Sequence, residues 1–274
     1  MKIGVRAHDF GRFSSLTKQA ATIKKAGFDC VQYAPAKAIE GLEHFDDITP
    51  EVLHEIKSAF LQHDVEITVL GCYIEPALPD DNMRLDYVRI FKDNLAHAKF
   101  LGAPIVGTET TGLSIHATSA EREAAYARLK DSILRMAEKA EAENVVIGIE
   151  PVALHTLNSP AITRRLLDEV GSDKIKVIFD PVNLVLPHTI HQQDQIFTEM
   201  LELLGDKIAV MHMKDTEVEN DQLAWRKIGE GVINYPLIYE WLKKNKPSMR
   251  LLREEAKMDS YHEDIMAMES YRNS

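Results

Sequence analysis

Short apolar runs rich in β-branched residues recur along the chain. Each run is followed by a polar turn and then by a stretch with an apolar residue every three or four positions. Runs of this length predict β-strands, and the 3.6-residue period predicts helices. The eight predicted strands cover residues 2–7, 28–34, 65–73, 103–110, 145–151, 175–181, 207–213 and 249–255.

Helices are predicted between each pair of strands. The clearest predicted helices cover residues 15–26, 49–63, 86–102 and 119–144, and the last one ends near Ser270. Thr49 followed by Pro50 is a typical helix start, with an N-cap hydroxyl and proline in the first turn. Residues 74–84 (IEPALPDDNMR) are read as a loop.

Eight strands alternating with eight helices in 274 residues are typical of an α/β fold, the (β/α)8 barrel. A doubly wound open sheet is the competing fold. The first strand is not followed by the G-x-G-x-x-G loop that binds phosphates in many such sheets. This absence disfavours the open sheet. Because no linker or change of composition divides the chain, a single domain over 1–274 is expected.

Composition limits the kinds of binding partner and the cell compartment that we expect for this protein. A net charge of −11 disfavours nucleic acid and anionic membrane surfaces. No apolar run reaches the roughly 18 residues of a membrane span, and the N-terminus lacks the apolar core of a signal peptide. Cys30 and Cys72 are too few for a disulfide framework, so we expect buried thiols and a cytoplasmic protein.

Potential metal ligands close four consecutive predicted strands. The fifth strand, VVIGIEP, ends in Glu150, the sixth in Asp180, the seventh in His212, and the eighth in Glu254 or Glu255. Strand C-termini form the active face of such a barrel, so these residues are expected to be neighbours. Singly, each has an ordinary explanation, such as a helix cap, a turn before proline or a core histidine. Together they favour a divalent cation, because neighbouring carboxylates otherwise repel one another.

Five motifs in a fixed order give the chain a family resemblance. It resembles the sugar phosphate isomerase/epimerase family, the xylose isomerase-like TIM barrels, which also include ketose 3-epimerases, inosose dehydratases and endonuclease IV. The motifs are IGIEP (147–151), FDPVN (179–183), VMHMKD (210–215), KIGEG (227–231) and LLREEA (251–256).

The resemblance implies one divalent ion held by Glu150, Asp180, His212 and Glu254. Mn²⁺ is expected first, with Mg²⁺, Co²⁺ or Zn²⁺ as alternatives. Side chains alternate along a strand, so only one of Glu254 and Glu255 can face the barrel axis. Glu254 is favoured because the family's ligand usually closes the apolar run directly.

The resemblance also implies a reaction. A ketose or keto-inositol would lose a proton through a metal-stabilised enediolate, with Glu150 and Glu254 as the acid/base pair on opposite faces of the sugar. Asn183 departs from the family, whose epimerases and nucleases commonly have histidine three residues after the aspartate ligand. The candidate substrate-binding residues around the same mouth are His8, Glu109, His155, Asn183, Lys214 and Arg226.

Three other functions compete with an isomerase or epimerase. An inosose-type dehydratase would share the proton abstraction and then expel a hydroxyl. An abasic-site nuclease of the endonuclease IV type would need three metals and histidines after strands three and four, where this chain has none. A non-enzymatic sugar-binding or regulatory protein that keeps the barrel without the chemistry is the third. The expected partner is a small-molecule sugar, and Trp241 with the last helix could form a homodimer or homotetramer.

Overall fold

A closed barrel of parallel strands organises the protein, for which a computed structural model describes residues 1–273. The strands within this range are β1 (Lys2–Arg6), β2 (Cys30–Tyr33), β3 (Glu66–Gly71), β4 (Ile105–Glu109), β5 (Val146–Glu150), β6 (Ile175–Phe179), β7 (Ile208–Met213), β8 (Asp215–Glu219), β9 (Gln222–Arg226) and β10 (Arg250–Arg253). Eight of them close the barrel in the order β1-β10-β7-β6-β5-β4-β3-β2. The predicted (β/α)8 barrel is confirmed, and the open sheet is wrong because β10 pairs with both β7 and β1.

Helices cover the outside of the barrel. They are α1 (Leu16–Lys25), α2 (Pro35–Ala38), α3 (Pro50–Gln62), α4 (Asp81–Leu101), α5 (Ser119–Glu143), α6 (Pro160–Val170), α7 (Gln193–Leu204), α8 (Tyr235–Asn245) and α9 (Tyr261–Asn273). Thr49 caps α3 as predicted, through a bond from the Val52 amide to its hydroxyl. None of the described helices is long and apolar enough to cross a membrane.

The start of α4 and a hairpin of two strands differ from the sequence prediction. Helix α4 begins at Asp81, five residues before the predicted start, because the Asp80 carboxylate accepts the amides of Asn82 and Met83. Strands β8 and β9 form an antiparallel hairpin after β7, which the prediction missed. Its two-residue turn, Asn220–Asp221, has φ values of 49° and 59°, the left-handed backbone that a tight hairpin requires.

Alternating side chains fill the barrel interior in layers. Cys30, Val69, Ile105, Ile178, Val210 and Leu252 form a buried cluster, and Gly4, Gly107 and Gly148 lie against it. Because side chains point inward at every second residue of a strand, the next inward-facing residues toward the mouth lie two positions further along. They include Arg6, Gln32, Glu109, Glu150, Asp180, His212 and Glu254. The barrel therefore changes from apolar to charged within one layer.

The glycine at 148 is required by this packing. A Cβ atom there would lie 2.8 Å from Cγ2 of Ile105 and 2.9 Å from Cδ1 of Ile178. Both neighbours are β-branched residues held inside the barrel, so they have little room to move.

Replacing Gly148 by alanine is expected to lower the free energy of unfolding by about 1–3 kcal/mol through overpacking. Urea denaturation followed by circular dichroism measures the change. Gly112→Ala is the matched control, because a Cβ atom at Gly112 would lie 3.8 Å from the nearest atoms of His155. Equal stabilities of the two variants would contradict the proposed packing constraint.

Candidate active site

The four strand ends singled out by the sequence converge at the barrel mouth. Glu150, Asp180 and His212 each offer a ligand atom, and these atoms lie within 4.8 Å of one another. Glu254 follows β10, and its Oε1 lies 3.3 Å from Nδ1 of His212. All four side chains are buried. The arc of strands β10, β7, β6 and β5 thus places Glu254 and Glu150 at its two ends, with His212 and Asp180 between them.

The imidazole of His212 is held by two residues that the sequence analysis did not single out. Its Nε2 lies 2.8 Å from Oε1 of Gln32, and the Gln32 amide nitrogen donates to the hydroxyl of Tyr73 at 2.8 Å. A Gln32 oxygen that accepts from Nε2 leaves Nδ1 as the ring nitrogen for an ion. Gln32 was detectable only as a lone polar residue within a buried strand.

This donor set fits a divalent cation. Ions of this class bind oxygen and imidazole ligands at about 2.0–2.6 Å, so ligands of one ion lie at most about 4–5 Å apart. Nδ1 of His212 is buried, lies 3.1 Å from Oε2 of Glu150, and makes no well-aligned hydrogen bond among the described residues. Burial acts to lower the pKa of His212, but the charges of Glu254 and Glu150 outweigh it and raise the pKa to about 9. An incoming ion would therefore replace a proton at Nδ1.

Two cations lie against the carboxylates. Nζ of Lys214 is 2.9 Å from Oδ2 of Asp180 and 3.2 Å from Oε2 of Glu254, and a terminal nitrogen of Arg6 is 3.5 Å from the same Glu254 oxygen. Burial favours a higher pKa for Glu254, but His212, Lys214 and Arg6 together lower it to about 2. Burial also raises the pKa of Asp180, against the opposing charge of Lys214. The ammonium group of Lys214 thus bridges Asp180 and Glu254.

The backbone shows which of the two adjacent glutamates, Glu254 or Glu255, lies with the candidate metal ligands. Glu254 is buried and faces His212, whereas Glu255 adopts φ 57° and turns its side chain away. The Glu255 carboxylate accepts a hydrogen bond from Arg6 at 2.7 Å. Of the two carboxylates, only that of Glu254 lies beside His212.

Asn183 and His155 both lie near Glu150. The Asn183 amide nitrogen donates to Oε1 of Glu150 at 2.5 Å, so it orients that carboxylate. His155 lies beside Glu109, at 3.8 Å between Nε2 and Oε2. Burial, followed by the charges of Glu150 and Glu254, raises the pKa of Glu109 to about 7.

His8 and Arg226 are the two remaining candidate substrate-binding residues. His8 packs edge-on against Tyr73, and burial together with the charges of Arg6 and Lys37 lowers its pKa to about 4. Arg226 belongs to β9, where its guanidinium is paired with Glu217 and Glu219 of the same hairpin rather than with the buried cluster. The structure therefore does not bring Arg226 together with the candidate ligands.

Comparison with known proteins places the chain in a family. Residues 20–269 match the model of the xylose isomerase-like TIM barrel family. No curated protein sequence gives a significant match.

Solved structures resemble the whole chain. A D-tagatose 3-epimerase-like protein has a TM-score of 0.80 at 19% identity, covering 100% of this chain and 97% of its own. The 3-keto-D-glucoside 4-epimerase of E. coli has a TM-score of 0.76 at 16% identity, covering 100% of both chains. A protein of the same barrel type from Mycobacterium smegmatis, in complex with magnesium, has a TM-score of 0.73 at 16% identity, covering 99% and 95%. At these identities the likeness shows the fold alone, and the match over residues 20–269 shows that the chain belongs to the xylose isomerase-like TIM barrel family.

Proposed function

We propose that the protein is a divalent-metal-dependent sugar isomerase or epimerase that acts on a ketose or keto-inositol. The observation that carries this proposal is the buried cluster of Glu150, Asp180 and His212, with Glu254 against it. A site with three carboxylates and an imidazole suits one hard or borderline divalent ion. The structural neighbours include a D-tagatose 3-epimerase-like protein and a 3-keto-D-glucoside 4-epimerase, which supports the same class of substrate.

Glu150, Asp180, His212 and Glu254 would hold the ion. When bound, it would polarise a carbonyl group of the substrate and acidify the adjacent C–H bond. Mn²⁺ remains the first expectation, and a magnesium-bound neighbour keeps Mg²⁺ as an alternative. Gln32 would hold the His212 ring in place, and Lys214 would be released from Asp180 to donate to a substrate oxygen.

The two glutamates would move the proton. Glu150 and Glu254 lie at the two ends of the arc of strands, so a sugar placed between them presents a different face to each. Removal of a proton by one carboxylate and its return by the other inverts a stereocentre. Asn183 keeps Glu150 oriented through its 2.5 Å hydrogen bond. His8, Glu109 and His155 would contact hydroxyl groups of the substrate.

The nuclease alternative gains no support. Among residues 1–273, no second cluster of three potential ligands accompanies the one at the mouth, whereas the nuclease reading requires three metals. The dehydratase alternative would use the same two carboxylates and diverges only after proton removal.

Metal binding is tested by comparing two aspartates. Asp180→Asn is expected to weaken Mn²⁺ binding by at least about tenfold, because it removes a charged ligand. Isothermal titration calorimetry after treatment with EDTA measures the affinity. Asp173→Asn makes the same chemical change at an exposed side chain and should leave the affinity unchanged. Equal loss in both variants, or no Mn²⁺ binding by the unaltered protein, counts against the metal site.

Proton transfer is tested with Glu150→Gln. Incubation of the Mn²⁺-supplemented protein in D₂O with D-tagatose, D-fructose and a keto-inositol should introduce deuterium at a carbon next to the carbonyl group, detected by NMR. Glu150→Gln should slow this exchange by about 100-fold or more, because the base is lost. Glu138→Gln, an exposed glutamate on α5, is the matched control. Full exchange activity in Glu150→Gln would rule out the assigned base.

A further inference from the structure

A groove beside the candidate active site has no role in the proposed reaction. It has a volume of about 470 Å³ and lies between the end of β9, residues 225–227, and the chain from Arg253 to Glu263 that leads into α9. Pockets that bind small ligands have volumes of about 300–1,000 Å³. None of the four candidate metal ligands lines this groove, so its space is additional to the site at the barrel mouth.

The groove adjoins the metal ligands at two points. Glu255, in its wall, accepts a hydrogen bond from Arg6, and Arg6 also lies 3.5 Å from Glu254. Trp225, in the opposite wall, has its ring centre 5.3 Å from Nζ of Lys214. Arg6 and Lys214 therefore link the walls of the groove to the candidate metal ligands.

The charges in the groove are balanced. Four cationic and four acidic side chains line it. Three of the cations are already engaged by carboxylates of the protein; the pairs are Arg226–Glu217, Lys227–Glu230 at 2.8 Å and Arg253–Asp264 at 2.8 Å. A phosphate or carboxylate would have to compete with these partners at Arg226, Lys227 and Arg253. The paired groups still offer many donors and acceptors, which suits a neutral ligand with several hydroxyl groups.

Trp225 supplies the apolar surface. Its side chain is 43% exposed. It is one of two tryptophans in the chain. An indole presents a large apolar face with few rotatable bonds, so it can pack against the C–H face of a sugar ring at low entropic cost. Its position on β9 is fixed by the hairpin, where it pairs with Thr216. The adjacent loop is fixed by the Asp215 carboxylate, which accepts the amides of Gly229 and Gly231.

We propose that this groove is a second sugar subsite, so that the protein accepts a neutral glycoside or disaccharide in addition to a free monosaccharide. The ring to be isomerised would lie at the metal ligands, and the attached ring would stack on Trp225. This assignment of substrate class rests on the proposed function, but the subsite itself can be tested without catalysis.

Binding is measured by calorimetry in the presence of EDTA, with cellobiose, maltose and trehalose as neutral probes and glucose and glucose 6-phosphate as comparisons. At least one disaccharide should bind more tightly than glucose, by about tenfold if stacking contributes as expected. Trp225→Ala should remove that advantage. Val218→Ala, an exposed residue of the same hairpin outside the groove, should retain it.

Fluorescence locates the bound probe. In a Trp241→Phe variant Trp225 is the remaining tryptophan, so its emission should change on titration with the disaccharide that binds. The proposal is overturned if no disaccharide exceeds glucose, if glucose 6-phosphate binds most tightly, or if Trp225→Ala and Val218→Ala behave alike. If the protein binds a disaccharide but catalyses no isotope exchange, the proposed function is wrong and the subsite is still supported.

Discussion

The burial of three carboxylates at the mouth of the barrel is the constraint on which the site depends. Glu150, Asp180 and Glu254 are withdrawn from water, and charged groups are stable there only with compensating charge. Within the protein that compensation comes from His212, Lys214 and Arg6. A divalent ion would supply part of this compensating positive charge. It would also displace a proton from His212 and free Lys214 to face the substrate.

Tight packing beneath the mouth holds the buried carboxylates in fixed positions. The layer of glycines and small apolar residues below the charged layer leaves almost no space, as the contacts around Gly148 show. Each carboxylate therefore leaves its strand in a fixed direction, and hydrogen bonds such as that from Asn183 to Glu150 refine it. Strand order then decides which groups are neighbours: the two glutamates flank the histidine and the aspartate.

The hairpin after β7 extends the mouth to one side. It carries Trp225 close to Lys214, and it keeps Arg226 in ion pairs of its own. The proposed second subsite uses this wall, while the chemistry proposed for the glutamates uses the barrel itself. Substrate size and reaction type would thus be set by separate parts of the molecule, as is common where loops surround a barrel mouth.

The sequence by itself predicted the barrel and placed Glu150, Asp180 and His212 at the ends of neighbouring strands, because strand alternation and spacing are local patterns that burial reinforces. It did not determine the start of α4, the hairpin, or the roles of Gln32, Tyr73 and Arg6. Those depend on contacts between residues far apart in the chain, such as Gln32 with His212 across 180 positions. Only the tertiary structure decided that Glu254 faces His212 while Glu255 turns to Arg6, because a left-handed backbone at Glu255 redirects its side chain.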